Sequence, residues 1–311
     1  YFETSKCGSC RLMKKEIAAA KKLIGRKDLK IFSLDTEKWP HLGTRYGIQR
    51  LPCILFVQEG EIQERMEGVT KADCDRLALR RYEQYQMSLA DERAFQKRYM
   101  FAAEIQVSRK KSILVEEDEG ILPTTAEGLA AMEPAFARAG AMGVDDYQLA
   151  QHKELASVRH IHTAGNSPAM ADGAAVVMVA AEGALDAKPR ARIVASNTVA
   201  ADPTQVLSGC VEAVRSLLAQ QNLSAADIDL FEVHEAFAAI SVMGMRELDI
   251  PEDRYNVNGG VIALGHPMGA TGAMMLGTLL DELERRDQQR GIVSAAGAAG
   301  TGSAILIERL D

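Results

Sequence analysis

The segment from Gly269 to Arg285 constrains the fold more than any other part of the 311-residue chain. Its spacing predicts a long helix in which apolar side chains surround the axis almost completely. These side chains are Ala270, Ala273, Met274, Met275, Leu276, Leu279 and Leu280. A helix that is apolar on most sides is buried on most sides. The segment therefore requires packed layers on both of its flanks.

Short apolar strands and amphipathic helices alternate on either side of this segment. The predicted strands are 30–34, 53–57, 61–66, 174–179, 191–195, 228–233, 291–295 and 303–308. The predicted helices are 10–24, 70–86, 206–220, 236–247 and 269–285. The stretch from 113 to 159 is irregular. This alternation predicts an α/β fold.

The chain is long enough for two domains that each bury a core. The first 80 or so residues read as one α/β unit, and the character changes near residue 88. We therefore predict a first domain over 1–86, a linker helix and loop region over 87–187, and a final domain over 188–311.

Charge and hydropathy narrow the class of partner. The net charge is −7 and the sequence contains no block of like charges, which disfavours nucleic acid and anionic membranes as main partners. No apolar run approaches the ~20 residues that span a bilayer, and no signal peptide is visible. The chain opens at Tyr1 rather than Met, and Tyr1-Phe2 reads as the end of a strand. We therefore expect a truncated sequence.

The five cysteines are odd in number and unevenly spaced, which argues against a secreted disulfide framework and favours the cytoplasm. Two of them form the motif Cys7-Gly8-Ser9-Cys10, where a predicted strand gives way to a helix. The helix N-terminus favours a thiolate there. The first cysteine would attack a disulfide and the second would resolve the mixed disulfide. A half zinc site and two thiols without a function stay open, although no second Cys/His pair at zinc spacing accompanies the motif.

Residues 1–82 resemble thioredoxin-like proteins in the order of strand, Cys-x-x-Cys, helix, strand and helix, followed by Leu51-Pro52. The resemblance implies that Pro52 lies against the active-site disulfide of Cys7 and Cys10. It also implies thiol–disulfide exchange with a protein partner. The first strand and helix of that fold are missing, and Ser9 replaces the usual proline between the cysteines, so the direction of electron flow stays open.

Several motifs from residue 88 onward resemble the thiolase family, in its acetyl-CoA acyltransferase branch. They are His162-Thr163-Ala164-Gly165-Asn166-Ser167, Asp172-Gly173-Ala174-Ala175, His234-Glu235-Ala236-Phe237-Ala238, Asn256-Val257-Asn258-Gly259-Gly260 and Gly265-His266-Pro267-Met268-Gly269-Ala270-Thr271-Gly272. The resemblance implies that the C-terminal part of a thiolase fold, a layered α/β structure, follows a truncated thioredoxin-like domain. It also implies an acyl-CoA thioester as substrate and no covalently bound cofactor.

The resemblance assigns catalytic roles residue by residue. His266 would activate a nucleophilic cysteine, and His234 would donate to an oxyanion or hold a water. Asn258 would orient the loop or the water, and Ala298 would supply a backbone donor. Taken alone, each histidine also fits a hydrogen-bonded loop or helix-end residue.

The coenzyme A groove is expected at a different motif, with Asn166 and Ser167 as the binding residues. Pro168 replaces a residue that helps to line this groove in relatives. We predict no metal-binding residue in either region.

Two departures decide what the chain can do. The nucleophilic cysteine of thiolases lies in an N-terminal half that is not in this sequence. Ala296 stands where the acid/base cysteine should be, and alanine cannot carry a proton. We therefore expect a partial or catalytically impaired acyltransferase module, with either a homo-oligomer or a separate N-terminal thiolase half as its partner.

Two alternatives remain beside this interpretation. The chain could act as a thiol–disulfide oxidoreductase through Cys7 and Cys10, with the thiolase part as a dimerising body. It could also be a non-catalytic scaffold, because the helix at 269–283 would expose an apolar patch without its mate. A natural fusion and a joining of two unrelated fragments both stay open.

Overall fold

The computed structural model describes residues 2–3, 32–45, 53–58, 61–153, 155 and 157–310. The chain divides into two compact units, Tyr1–Thr70 and Lys71–Asp311.

The described part of the first unit is a four-stranded sheet and one short helix. The strands are β1 (Phe2–Glu3), β2 (Leu34–Asp35), β3 (Cys53–Gln58) and β4 (Glu61–Glu67), and the helix is α1 (Pro40–Arg45). The strand order is β2-β1-β3-β4, with β1 and β2 parallel and the other pairs antiparallel. The predicted strands at 53–57 and 61–66 are confirmed. The site residues Cys7, Cys10 and Pro52 and the predicted helix at 10–24 lie outside the described residues.

The second unit is built on a sheet of four strands. They are β7 (Ala191–Ala200), β8 (Leu230–Val233), β9 (Arg290–Ala296) and β10 (Thr301–Arg309), in the order β7-β10-β9-β8. The β8–β9 pair is parallel, while β10 is antiparallel to both of its neighbours. All four strands were predicted, because their apolar runs are bounded by polar turns.

Helices cover both faces of this sheet. The main helices of the unit are α2 (Lys71–Ser88), α3 (Gly209–Gln220), α4 (Ala238–Leu248), α5 (Gly260–Leu264) and α6 (Thr271–Arg286). Helix α3 packs on one face, where Ile292 and Leu306 point. Helix α6 packs on the other face, against Val293 and Ile307. Because neighbouring residues of a strand point to opposite faces, the two cores are separate layers, and the layered α/β prediction is confirmed.

Helix α3 meets β10 at a contact between two backbones. A Cβ atom added to Gly209 would lie 2.1 Å from the carbonyl oxygen of Thr301, and one added to Gly302 would lie 2.0 Å from that of Gly209. Only glycine at both positions permits so close an approach. The helix start is therefore fixed on the strand that follows the glycine-rich turn.

Helix α6 has no exposed residue from Thr271 to Glu284. Its fully buried residues lie on one half of the helix, whereas Ala273, Met274, Leu276 and Leu280 on the other half are half-buried. The prediction of burial on most sides is therefore met on one side only. A Cβ atom added to Gly272 or Gly277 would meet no described atom within 4 Å, so the helix has open space at both glycines.

Helix α2 belongs to the second unit. The sequence predicts that it lies in the first domain, with a boundary at 86/87, whereas the structure divides the chain after Thr70. The physical reason is that α2 buries Cys74, Leu77, Ala78 and Tyr85 within the second unit, where it contacts α4 and α5.

The region from residue 89 to 190 contains short elements. A hairpin of β5 (Ala103–Ser108) and β6 (Lys111–Val115) was not predicted. The short α-helices here are Ala90–Arg93, Gln96–Tyr99, Ala126–Ala130, Ala137–Ala139 and Asp145–Gln151. Among the described residues, no helix is long and apolar enough to cross a membrane.

The strand predicted at 174–179 is not formed. This segment carries no strand pairing, and its apolar side chains are largely open to solvent, with Val176 95% and Met178 78% exposed. A strand needs a neighbour that satisfies its backbone groups, and no described strand lies beside this one.

Candidate functional site

Two histidines from different motifs meet at the end of β8. His234 directly follows that strand, and its backbone N–H donates to the carbonyl oxygen of Ser294 on β9 at 2.8 Å. His266 lies between α5 and α6. Their ring centroids are 4.5 Å apart with the planes tilted by 40°. The structure thus brings together the two histidines that the sequence analysis selected.

His234 is buried, at 4% exposure. Neither of its ring nitrogens has a hydrogen-bond partner among the described residues. Burial lowers the pKa of His234 to about 4, and the neighbouring His266 adds to this shift. The ring is therefore neutral at pH 7, with one N–H donor and one lone pair available to a ligand.

His266 is held through its other ring nitrogen. Its Nδ1 lies 2.7 Å from the hydroxyl oxygen of Thr271, the first residue of α6. Burial also lowers the pKa of His266. When Nδ1–H donates to Thr271, Nε2 carries the lone pair and can accept a proton. Thr271 was quoted in a motif but given no role; its place five residues after His266, at the start of α6, is the signal that could have identified it.

The loop that carries Asn258 is fixed to β8 through Asn256. The side chain of Asn256 accepts from the N–H of Val233 at 2.7 Å and donates to the carbonyl of Val233 at 2.8 Å. This fixes the loop to β8 at the residue before His234. Asn258 is buried, and its side chain lies beside the carboxylate of Glu282 on α6, where its hydrogen bond helps to lower the pKa of that carboxyl.

The alanines of the last glycine-rich turn lie at the end of β9. Ala296 pairs with Gly302 across the sheet. Ala298 is exposed in the turn, and its carbonyl accepts from Thr301. The turn continues the strand whose Ser294 binds the backbone of His234, which places both alanines on the sheet edge that carries the histidine.

No described cysteine offers a reactive thiol at this edge. Cys210 is buried, and its Sγ lies 3.7 Å from the backbone oxygen of His234. Burial raises the pKa of Cys210 to about 12, so the thiol stays protonated and packs as a small apolar group. In the described part of the chain, no group of three or more His, Cys, Asp or Glu is placed to hold a metal ion.

Asn166 is fully buried, and its side chain holds the loop of its own motif. It accepts from the N–H of Thr163 at 2.8 Å, and it donates to Asp75 at 2.8 Å and to the carbonyl of Ile161 at 3.0 Å. Its amide is thus engaged by protein groups on both ends. The structure gives Asn166 a structural contact with α2 and no exposed surface for a ligand.

Ser167 lines a small cavity. The cavity has a volume of about 100 Å³, with Met170, Leu264 and Gly265 among its other lining residues. Sites for drug-sized ligands measure ~300–1,000 Å³, so this cavity accommodates only a small part of a ligand. The segment after it is fixed to the histidine site, because the N–H of His266 donates to the carbonyl of Ala169 at 2.8 Å.

One buried contact at the site was missed from the sequence. Arg81 of α2 binds the carboxylate of Glu235, the residue after His234, with a separation of 2.7 Å between Nε and Oε1. An arginine on a polar helix normally points to solvent, and nothing in the spacing of α2 distinguishes this one.

Comparison with protein families identifies two regions. Residues 187–309 match the model of the thiolase C-terminal domain, and residues 1–78 match that of thioredoxin.

Curated relatives agree with the first match. The chain is 33% identical over 297 residues to the peroxisomal 3-ketoacyl-CoA thiolase A of Mus musculus, covering 86% of this chain and 65% of that protein. It is 35% identical over 253 residues to the 3-ketoacyl-CoA thiolase of Bacillus subtilis, covering 78% and 59%. The chain thus spans less than two thirds of the length of these relatives.

Solved structures give the same result. The acetyl-CoA acetyltransferase of Bacillus anthracis matches with a TM-score of 0.66 and 27% identity, over 91% of this chain and 66% of that one. The human mitochondrial 3-ketoacyl-CoA thiolase matches with a TM-score of 0.63 and 29% identity, over 78% and 56%.

Proposed function

Because residues 187–309 form a thiolase C-terminal domain behind a region that matches thioredoxin, we propose that the chain is an acyl-CoA-binding module of the thiolase family. It holds the thioester at the pair His234 and His266 and, on its own, performs little or no carbon–carbon bond chemistry. The observation that supports the proposal most is the buried ring of His234, whose two nitrogens are left without described partners.

The unpaired ring of His234 suits a thioester carbonyl. A buried polar group without a partner is costly, and a neutral imidazole N–H that meets a carbonyl oxygen removes this cost. Since water is largely excluded from a buried site, such a donor also acts more strongly than it would in solution. We assign this donor role to His234.

His266 suits the role of a proton acceptor. Its Nδ1 is engaged by Thr271, which leaves Nε2 to take a proton from a thiol. The thiol is that of free coenzyme A or of a cysteine on a separate N-terminal thiolase half, which we propose as a partner.

Ala296 explains why we expect no carbon–carbon bond chemistry. Breaking or forming that bond requires a group that moves the proton of the substrate carbon, and such groups typically contribute ~10²–10⁴-fold to the rate. Ala296 has no such group, and the thiol of Cys210 is buried with its pKa raised. We propose that the chain keeps the ability to bind acyl-CoA but has lost the ability to break or form the carbon–carbon bond.

Titration calorimetry with acetoacetyl-CoA tests the binding. The wild type is expected to bind, and His234→Ala is expected to bind about tenfold more weakly, the effect of ~1.4 kcal/mol. A matched control is His152→Ala, because His152 lies in the same unit but contacts Thr204 instead of the site. Absence of binding by the wild type would overturn the proposal.

Thiolysis of acetoacetyl-CoA with free coenzyme A, followed by the loss of absorbance of its enolate, tests the impairment. No turnover is expected in the wild type. Turnover that disappears in His266→Ala would show that Ala296 does not silence the site.

A second candidate function rests on the N-terminal region. Residues 1–78 match thioredoxin and carry Cys7 and Cys10 at the spacing of a thiol–disulfide oxidoreductase. We propose reduction of insulin disulfides with dithiothreitol as the test. Acceleration by the wild type that is lost in Cys7→Ser would support this function, and equal rates would exclude it.

A further inference from the structure

We infer that Arg81 of helix α2 is a positioning residue that sets the place of His234 by acting through Glu235. The inference rests on the proposed function to the extent that His234 is the group that meets the thioester.

The contact between Arg81 and Glu235 is a fully buried ion pair. Both side chains have 0% exposure, and the guanidinium Nε lies 2.7 Å from Oε1. A buried charge is tolerated only when it is paired and hydrogen-bonded. Each of these two residues therefore requires the other in place.

Arg81 is itself fixed by groups outside the turn. Its Nη1 donates to the side-chain oxygen of Gln84 at 2.9 Å and to the carbonyl oxygen of Tyr255 at 3.2 Å. The guanidinium also lies 5.6 Å from the centre of the Tyr255 ring, within cation–π distance. The planar guanidinium thus has a single orientation toward Glu235.

Glu235 is enclosed by the two helices beside the site. The hydroxyl of Ser241 on α4 donates to its Oε1 at 2.9 Å. A Cβ atom added to Gly260, at the start of α5, would lie 2.3 Å from its Oε2. The carboxylate therefore occupies a fitted space and cannot shift without moving the turn that bears it.

His234 depends on this turn for its position, because its ring makes no hydrogen bond to the described residues. On one side, its backbone N–H is bound to Ser294 at 2.8 Å. On the other side, the next anchored side chain is that of Glu235. Loss of the ion pair would release the second anchor, and the donor nitrogen of His234 would move away from the place where the thioester carbonyl binds.

Helix α2 is held at other points as well. Asp75 accepts from Asn166 at 2.8 Å, and Asp73 pairs with Arg246 of α4 at 2.8 Å. A change at Arg81 is thus expected to displace the turn of His234 and to leave the helix in place. The Asp73–Arg246 pair joins α2 to α4, whereas the Arg81–Glu235 pair joins α2 to the turn of His234, so it offers a control for the loss of an ion pair of α2.

The experiment compares the double variant Arg81→Met/Glu235→Met with the control double variant Asp73→Leu/Arg246→Met in the full chain. Removing both partners avoids an unpaired buried charge, and such replacements are often tolerated. Three quantities are measured in each: the ring resonances of His234 by NMR, assigned by their absence in His234→Ala, the Kd for acetoacetyl-CoA, and the thermal stability, for which the single variant Arg81→Met is the reference. Arg81→Lys serves as a second variant that keeps the charge but loses the planar contacts.

The double variant at Arg81 and Glu235 is expected to recover most of the thermal stability that Arg81→Met alone loses. Its His234 resonances are nevertheless expected to shift, and its Kd is expected to rise about tenfold, the effect of ~1.4 kcal/mol. Arg81→Lys is expected to move both the resonances and the Kd in the same direction by less, and the control variant to move neither.

Unchanged His234 resonances in Arg81→Lys and in the double variant would overturn the inference, as would equal shifts in the control. If the wild type binds no acyl-CoA, the proposed function fails, while the resonances still decide whether Arg81 positions His234. A purely structural role would lower the stability of the control and the test variants alike and would leave the resonances unmoved.

Discussion

The imidazole rings of His234 and His266 lie 4.5 Å apart, centroid to centroid, and burial keeps both neutral at pH 7. Protonation of both rings would place two positive charges close together, which is unfavourable in a site with little water. The two rings therefore cannot both be charged without a cost in stability, and the cost gives the site a measurable dependence on pH.

Stability should fall on acidification because of His234. Its pKa is lowered to about 4 in the folded chain, against 6.5 for an unperturbed histidine, so the unfolded chain binds more protons between these values. The free energy of unfolding then decreases as the pH falls from 6.5 towards 4, by on the order of 2 kcal/mol between pH 7 and 5. Urea unfolding at pH 7 and 5 measures the decrease.

The variant His234→Phe isolates this contribution from that of the carboxylates. It is expected to lose less stability than the wild type over the same interval. Identical losses would show that His234 is not the group that titrates.

Thr271 should control the tautomer of His266. In Thr271→Val, the 2.7 Å contact with Nδ1 is lost while the volume of the side chain is nearly kept. Loss of one hydrogen bond costs about 1 kcal/mol of stability, and the ring is expected to populate both neutral tautomers. The ¹⁵N chemical shifts of the His266 ring report the tautomers; a single unchanged tautomer would contradict the role given to Thr271.

The buried carboxyl of Glu232 should make the folded chain less stable as the pH rises. Burial, together with the negative charge of Glu235, raises its pKa to about 8 from 4.5. The folded chain therefore binds more protons than the unfolded chain between these values, and stability decreases as the pH rises through them.

The variant Glu232→Gln removes this titration. It is expected to gain stability relative to the wild type when the pH is raised from 5 to 8. Thermal unfolding at both values measures the gain, and parallel curves for the two proteins would refute the assignment.

The fold of the second unit follows from the sequence where apolar runs are buried on both faces. Strands β8, β9 and β10 and helix α6 were predicted within a few residues, because burial of such runs leaves few alternatives. Hairpin β5–β6 was missed because β5 is exposed along most of its length, so no alternation marks it. The strand at 174–179 has the right composition but no described partner, and composition alone cannot supply one.

The site was recovered in part for the same reason. His234, His266 and Asn258 lie in motifs with a recognisable chemistry, and the structure brings the two histidines together, while the side chain of Asn258 lies beside Glu282 of α6. Arg81 acts through a tertiary contact that no local pattern records, whereas Thr271 lies only five residues after His266. Asn166 carried the right motif, but its burial and its bond to Asp75 are visible only in three dimensions.

Two cysteines of the second unit should resist alkylation in the native chain. Burial raises the pKa of both Cys74 and Cys210 to about 12, and the thiolate is the reactive form. Mass spectrometry after iodoacetamide treatment at pH 8 is expected to find both unmodified, and modified once urea is added. Modification of either residue in the native chain would show that it is accessible.

The chain should self-associate. Val176 and Met178 are exposed in a segment without strand pairing, and such apolar surface favours association. Size-exclusion chromatography with light scattering is expected to give a mass above the 33.8 kDa of one chain. Val176→Asp/Met178→Asp should lower that mass, and a monomeric wild type would contradict the expectation.

The place of helix α2 has a practical consequence for cloning. A fragment cut at the composition change near residue 87 would remove Arg81, Gln84 and Asp75 from the unit they stabilise, and it would leave Glu235 as an unpaired charge in its interior. A truncation that begins at Lys71 keeps these contacts. If the fragment that begins near residue 87 is inactive or insoluble, the cause is therefore the loss of helix α2. Such a result gives no information about the function of the histidines.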